Sequence, residues 1–576
     1  MDATTEKSLS PSTRSSISPP NGETAVQLPQ GEERPLSSNS ENSVQAFNPN
    51  WRFLLAFLAL AFVTLAVALD ATTLSVALPI IAAKLHGTAI EAFWSGTSFL
   101  LTSTVFQPSF ASFSHIFGRK PLVFGALTLF AIGALVAGLA RNFTMMLVGR
   151  CIQGVGAGGM ISLTEIIVTD LVPLAERGKW FGIISGVWAI GSVTGPIVGG
   201  AFAQSVSWRW IFWINMPIIG VGYVMITFFL KLNHTKSAPF LQQLRRVDWV
   251  GSIMFIASMT SILIPISWGG VMYSWSSWRT LVPLILGFLG LVAFVPYEIY
   301  IAKEPMIRLG IFSNRSSTLV YFQTFIHGMI LWSLLYYGPI YFEAVKGFSP
   351  ILSGVAMFPE TFTVAPASII VGILTSVTGR YRWALWSGWI LTTLGMGIMY
   401  LQDVHTSTAA WIFLNLVPGL GTGILFAGMA IAIPASVNAI DMAHAVAFFS
   451  FTRALGQGVG VAVGGTIFQN DLKKKLLAYP LLAPKAAEWS RDAAGLVQVI
   501  KAMEEGVMKT QLVQAYANSL KVVWVSMCGL AAVALLTSVF VKEFSLQQEM
   551  VTEQGLKNKT KVVDAESSDT EKTVDG

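Results

Sequence analysis

Apolar runs of about twenty residues recur from residue 53 to residue 541, and nothing constrains the chain more. About twenty helical residues cross a hydrocarbon layer about 30 Å thick, where no backbone group can look to water for a hydrogen bond. Fourteen such runs lie near 53–80, 93–113, 121–140, 144–168, 180–204, 210–231, 249–268, 280–302, 317–342, 351–376, 383–401, 411–435, 445–468 and 520–541. Only 12% of the residues are charged, about half the share usual in soluble proteins. The chain is therefore expected to be an all-α polytopic membrane protein in contact with a lipid bilayer.

An even number of spans puts both chain ends on one side, and basic residues choose the side. With the N-terminus inside, inner loops hold Arg119, Lys120, Arg177, Lys179, Arg245, Arg246, Arg308, Arg315, Arg380 and Arg382, among others; outer loops hold Lys84, Arg141, Arg209, Arg279 and Lys346. This bias also accounts for the net charge of +6 without invoking nucleic acid. Residues 1–50 and 542–576 are polar and read as disordered cytosolic tails. The 470–519 stretch reads as an outer loop with a small amphipathic element. Cys151 and Cys528 both lie in apolar runs, which argues against a disulfide framework or a metal cluster, and no cofactor or metal is expected.

In Gly186–Gly200, five glycines and Pro196 sit in a run without charge. In water each Gly would cost a helix about 1 kcal/mol and the Pro about 3. In a bilayer the helix persists, and Gly191, Gly195 and Gly199 form a flat face that lets another helix approach closely. The face is either a plain packing surface or part of a pliable helix at the seam of a moving transporter.

An internal echo divides the chain. Gly118-Arg119 closes the inner turn after span 2, and Gly379-Arg380 closes the inner turn after span 10. Residues 51–231 and 316–541 are then two six-helix halves, with 232–315 supplying two inserted central spans. Parallel repeats of this kind place a substrate site between them.

These features resemble the major facilitator superfamily, specifically its fungal fourteen-span drug:proton antiporters. The resemblance covers residues 50 to 541 and rests on four stretches: Leu69-Asp70-Ala71-Thr72-Thr73-Leu74-Ser75-Val76-Ala77-Leu78-Pro79 in span 1, Gly118-Arg119-Lys120 after span 2, Gly149-Arg150-Cys151-Ile152-Gln153-Gly154 in span 4, and Gly191 to Gly200 in span 5. It implies the major facilitator fold. The span 5 motif (Gly191, Gly195, Pro196, Gly199, Gly200) is associated there with antiporters. The loop motif departs from the pattern: His115 and Ile116 stand where an acidic and then a basic residue are usual, so a neutral or pH-sensitive His is expected in the inner gate with Gly118, Arg119, Lys120, Gly379 and Arg380.

Ionisable groups within a bilayer are costly, about 3 to above 10 kcal/mol, so they default to functional hypotheses. Asp70 falls roughly 15 Å and Arg150 roughly 10 Å from the outer surface, counting 1.5 Å per residue. Similar depth permits a pair, either a static bridge between spans 1 and 4 or a proton-coupling centre. Glu360 follows Pro359, where a kink with a solvated carboxylate competes with proton binding. His327 is a packing residue or a proton relay. Arg453 and Gln457 share a helix face with Gly460 and Gly464 and read as packing and a hydrogen-bond anchor. Glu165, Asp170, Glu176, Asp248 and Glu298 lie near the inner surface, suited to gate or loop ion pairs. Gln153, Asn215, Trp332, Tyr336, Tyr337, Phe358 and Gln457 are the expected lining of an aromatic cavity for amphipathic, drug-sized molecules.

The function expected is proton-coupled efflux of hydrophobic or amphipathic small molecules, such as drugs or a fungal toxin, by alternating access. Proton-coupled uptake of a nutrient or metal chelate, and a non-transporting sensor, are the alternatives. No nucleophile elbow, metal-binding His pair or phosphate loop points to an enzyme. The expected partners are a small-molecule substrate and protons, acting on a monomer in the cell membrane or the vacuolar membrane.

Overall fold

The computed structural model describes residues 49–547 except 75–76, 88, 234–238, 271 and 491–492. The tails expected to be disordered fall almost wholly outside the described residues. Fourteen long helices follow one another: α1 Trp51–Thr73, α2 Ala89–Phe117, α3 Arg119–Gly138, α4 Phe143–Leu171, α5 Arg177–Ser205, α6 Asn215–Phe229, α7 Trp249–Trp268, α8 Trp278–Tyr300, α9 Arg315–Ala344, α10 Phe358–Thr378, α11 Arg382–Ile398, α12 Thr408–Ala435, α13 Met442–Leu477 and α14 Val507–Ser538. Thirteen spans are long and apolar enough to cross a bilayer by composition. The fourteenth helix, α2, is diluted by Ser95, Ser98, Thr102, Ser103, Thr104 and Gln107. A helix this polar lasts in a membrane by turning those groups inward, and of these residues all but the half-buried Thr102 are buried.

Three boundaries differ from the expected ones. The first span stops at Thr73, and a short helix, Leu78–Lys84, restarts with its proline in the first turn. Proline has no N–H to leave unsatisfied at a helix start and its φ is pre-set for the first turn, so Pro79 suits the restart of the chain here. Asp70 accordingly lies in the last turn of α1 rather than well inside a longer helix. The expected 470–519 loop is largely helical, because α13 runs to Leu477 and α14 starts at Val507. Between them Ala493–Ala502 buries Leu496, Val497 and Ile500, an amphipathic stripe at helical spacing. Thirdly, residues 542–547 are tied down rather than loose: Lys542 N–H donates to Ser316 Oγ (3.0 Å) and Glu543 Oε1 accepts from Tyr381 N–H (3.1 Å).

Helices α1–α6 and α9–α14, the two expected halves, carry matching contacts, and α7 and α8 pack as a hairpin that lies between them in the chain. Contacts repeat between the halves residue for residue. Gly154 of α4 lies against Phe99 of α2, and Gly158 against Ser103; Gly419 of α12 lies against Glu360 of α10, and Gly423 against Val364. Likewise Gly191 and Gly195 of α5 rest on Ala68 and Thr72 of α1, while Gly456 and Gly460 of α13 rest on Phe325 and Met329 of α9. The two Gly-Arg turns match as well: Gly118 has φ 88° and Gly379 φ 65°, both in the region that favours glycine. Small residues are what allow such close backbone approach in a bilayer, where helices gain from packing rather than from leaving water.

Helix α5 runs unbroken through Pro196, and its glycines pack on two sides. One face (Gly191, Gly195, Gly199) rests on α1 of its own half; another meets the opposite half, with Gly182 against Ile369 and Gly178 against Gly372 of α10. On the opposite side of the seam, α7 lodges Phe255 against Phe451 of α13, ring centroids 5.4 Å apart.

Candidate functional site

Asp70 and Arg150 meet in the interior of the first half. Arg150 Nη1 donates to Asp70 Oδ2 at 2.6 Å, and both side chains are almost fully buried. Arg150 also donates through Nε to the Ser95 carbonyl (2.9 Å) and through Nη1 to Gln153 Oε1 (2.7 Å). Asp70 Oδ1 accepts from Gln153 Nε2 (2.8 Å) and Asn215 Nδ2 (2.9 Å). The Phe99 ring covers the guanidinium at 4.2 Å. Four helices, α1, α2, α4 and α6, thus converge on one neutral, hydrogen-bonded pair. Such a pair tolerates burial because both carboxylate oxygens and the Nε and Nη1 of the guanidinium are hydrogen-bonded, and removing one partner costs about 3–5 kcal/mol.

Gln153 and Asn215, expected in the substrate cavity, are therefore corrected to amide partners of Asp70. Their amides are drawn inward because a buried carboxylate needs more donors than one arginine supplies.

The repeat gives the pair's counterparts. Asp70, two residues past Ala68, corresponds to His327, two past Phe325; Arg150, four before Gly154, corresponds to Asn415, four before Gly419; Phe99 corresponds to Glu360. His327 Nε2 lies 3.0 Å from the Thr422 carbonyl, as a packing histidine would. Its Nδ1 has no partner, and neither oxygen of the fully buried Glu360 has one among the described residues. The same scaffold thus holds a paired acid in the first half and an unpaired one in the second.

At the inner end the halves are joined by charge. Arg453 of α13 donates to Glu165 of α4, with Phe426 and Phe449 flanking the guanidinium at 4.6 and 4.9 Å. Arg453 is thus a hydrogen-bond anchor, as expected, and its partner lies in the other half. His115 of α2 stacks on His444 of α13, centroids 3.9 Å apart and planes within 5°. Arg119 donates to Asp170 Oδ2 (3.1 Å), Lys120 to the Thr227 carbonyl (3.0 Å), and Ser376 to Glu176 (3.1 Å) across the seam. Asp248 accepts from the Tyr297 hydroxyl (2.8 Å) and Glu298 from Ile307 N–H (3.3 Å). Arg380, expected in the same gate, is exposed at the surface: Gly379 ends α10 and turns the chain outward. Sequence reasoning missed His444 and Asp441, the latter 3.6 Å from Arg308. Their signal was two polar residues three apart at the start of a span, Asp441-Met442-Ala443-His444.

A narrow cavity of about 30 Å³ lies between the halves, its lining including Phe99, Ser103, Gln107, Trp188, Trp332 and Gln457. Of the expected lining, Trp332 and Gln457 are there. Tyr337 instead donates to the Val461 carbonyl (2.6 Å) and packs on Gly464, Tyr336 lies edge-on to it at 5.7 Å, and Phe358 turns edge-on to Phe362, which is exposed. Helix rotation sends these aromatics away from the axis, because α9 and α10 each present only one face to the seam.

Comparison with known proteins fits this geometry. The Major Facilitator Superfamily profile matches residues 60–461. The chain is 55% identical to MFS transporter L2 of Phoma sp. over 94% of its own length and 91% of the relative's. It is 39% identical to Efflux pump FUS6 of Gibberella fujikuroi over 88% of its length and 92% of that protein's. Its fold is similar to the crystal structure of the human organic anion transporter MFSD10, with a TM-score of 0.54, 14% identity, and coverage of 84% of this chain and 99% of that one.

Proposed function

The chain belongs to the major facilitator superfamily, and from that premise we propose that it exports hydrophobic or amphipathic small molecules in exchange for protons. The observation that carries the proposal is the closed Asp70–Arg150 pair. A buried carboxylate paired with an arginine holds one of two stable states: ionised and bound to Arg150, or protonated and released from it. Either state changes what holds α1 against α4, so proton occupancy biases how the halves sit.

In this cycle the inner face is locked by Glu165–Arg453 and the His115–His444 stack. A proton from outside neutralises Asp70, frees Arg150 and favours parting of the inner contacts. Substrate enters from the inner side, and loss of the proton inward restores the pair and turns the cavity outward. Glu360, buried and unpaired, is the second proton-binding acid. Direction rests on the span 5 motif and on relatives named efflux pumps. The site of action is the cell membrane.

The test is a strain lacking the protein, scored for intracellular accumulation of toxic apolar compounds with and without a protonophore. Export predicts accumulation on deletion, and in wild-type cells on adding the protonophore. Depletion on deletion would instead mean uptake, and no change would mean a sensor.

A further inference from the structure

Resting on the reading of the seam cavity as the substrate site, we propose that it selects uncharged molecules carrying a hydrogen-bond donor beside an acceptor, and that Gln107 is the residue that selects them. Gln107 on α2 is fully buried, and neither its carbonyl oxygen nor its amide nitrogen has a partner among the described residues. A buried amide without partners is costly and rare in native structures, so its retention calls for a ligand that completes it. Its position directs it: Gln107 lines the cavity together with Thr104. Pro108 follows, and having no N–H it leaves the Thr104 carbonyl without its usual helical donor. Donor and acceptor capacity therefore gather at one wall.

The remaining wall is apolar or neutral. Trp188 from the first half and Trp332 from the second line the space, Gln457 adds a second carboxamide, and no lining residue is charged. The nearest charged side chains in sequence, Asp70 beside Ala71 and Arg453 beside Ala454, are committed to Arg150 and Glu165. An organic cation entering here would lose its hydration without gaining a counterion, whereas a lactam or hydroxy-carbonyl pairs with a carboxamide through two hydrogen bonds. In the closed state the space admits about two waters. Substrate is thus gripped only when the halves part, between one tryptophan from each.

Three probes of one size separate the possibilities: 2-quinolinone (N–H beside C=O, neutral), N-methyl-2-quinolinone (acceptor only) and N-methylquinolinium (cation). Their binding to the purified full chain is measured by calorimetry. The wild type is expected to bind 2-quinolinone at least about tenfold more tightly than either other probe. Gln107→Leu should abolish that preference without lowering the melting temperature, because it removes an unpaired amide. Gln107→Glu should shift preference towards N-methylquinolinium. Equal binding of the three, no binding, or an unchanged ratio in Gln107→Leu overturns the proposal; so does a drop in melting temperature alongside the loss, which would mark Gln107 as structural. Binding is read without a pH gradient, so a chain that ranks the probes as expected but moves nothing in response to one refutes proton exchange and leaves this inference standing.

Discussion

Arg453 of α13 reaches across the seam to Glu165 of α4, the one buried ion pair among the described residues that joins the two halves. Breaking it by Glu165→Gln should leave a buried guanidinium half-satisfied and shift the inner face towards open by about 3 kcal/mol, on the order of a hundredfold. Cysteines placed on α4 and α13 at the inner end should then label faster from the cytosolic side. The double exchange Glu165→Arg with Arg453→Glu should restore slow labelling.

Asp70→Asn keeps the shape of the side chain and removes both the charge and its titration. Counterflow of substrate without a gradient should persist in proteoliposomes, while acceleration by a pH gradient should vanish. Arg150→Lys loses the planar fork that serves Asp70, Gln153 and Ser95 together. A fall in gradient-driven rate of about tenfold or more is expected there.

Gly195 sits where a Cβ would strike Thr72 of α1. Gly195→Val should force α5 off α1, at a cost of about 1–3 kcal/mol. Thermal unfolding should show the loss. Gly125, which has open space around the same position, should accept alanine without one.

Asp403, in the outer turn before α12, accepts from Lys521 Nζ (2.7 Å) and Gln514 Nε2 (3.0 Å). Burial pushes its carboxyl up, but the hydrogen bonds from Lys521, Gln514 and the Val404 N–H outweigh it and hold the group below its usual range. A depressed folded value means stability that is present above the unfolded value, about 4, and lost as pH falls through the folded one. The melting temperature should therefore be insensitive to this group between pH 7 and 5 and decline below about 4. Asp403→Asn should flatten that decline.

How far the residues announced themselves varies with the range of the interaction. The expected spans overlap all fourteen long helices, because a bilayer demands about twenty apolar residues and each helix satisfies its backbone within itself. The pairing of Asp70 with Arg150 was legible from depth. That Gln153 and Asn215 would join them rather than the cavity was not, since it depends on how α4 and α6 rotate about their axes. Tyr337 and Phe358 were misplaced for the same reason: an aromatic in a span looks alike whether it faces cavity, neighbour or lipid. In the sequence Gln107 is one polar residue before Pro108 in a span; its lack of partners among the described residues depends on the packing of every neighbour.

Hydrophobic length is a local quantity, so the chain by itself determined the all-α character and the places of the long apolar helices; its Gly-Arg turns and basic residues supply the reading of where the halves repeat and which ends face inward. Which acid is paired and which is left bare was decided by tertiary structure alone. Asp70 and Glu360 sit on repeated scaffolds, yet one is met by Arg150 and the other by no hydrogen-bond partner among the described residues. The physical reason is that a charge's partner comes from whichever helix is turned towards it, and that turning is set by packing across the whole bundle.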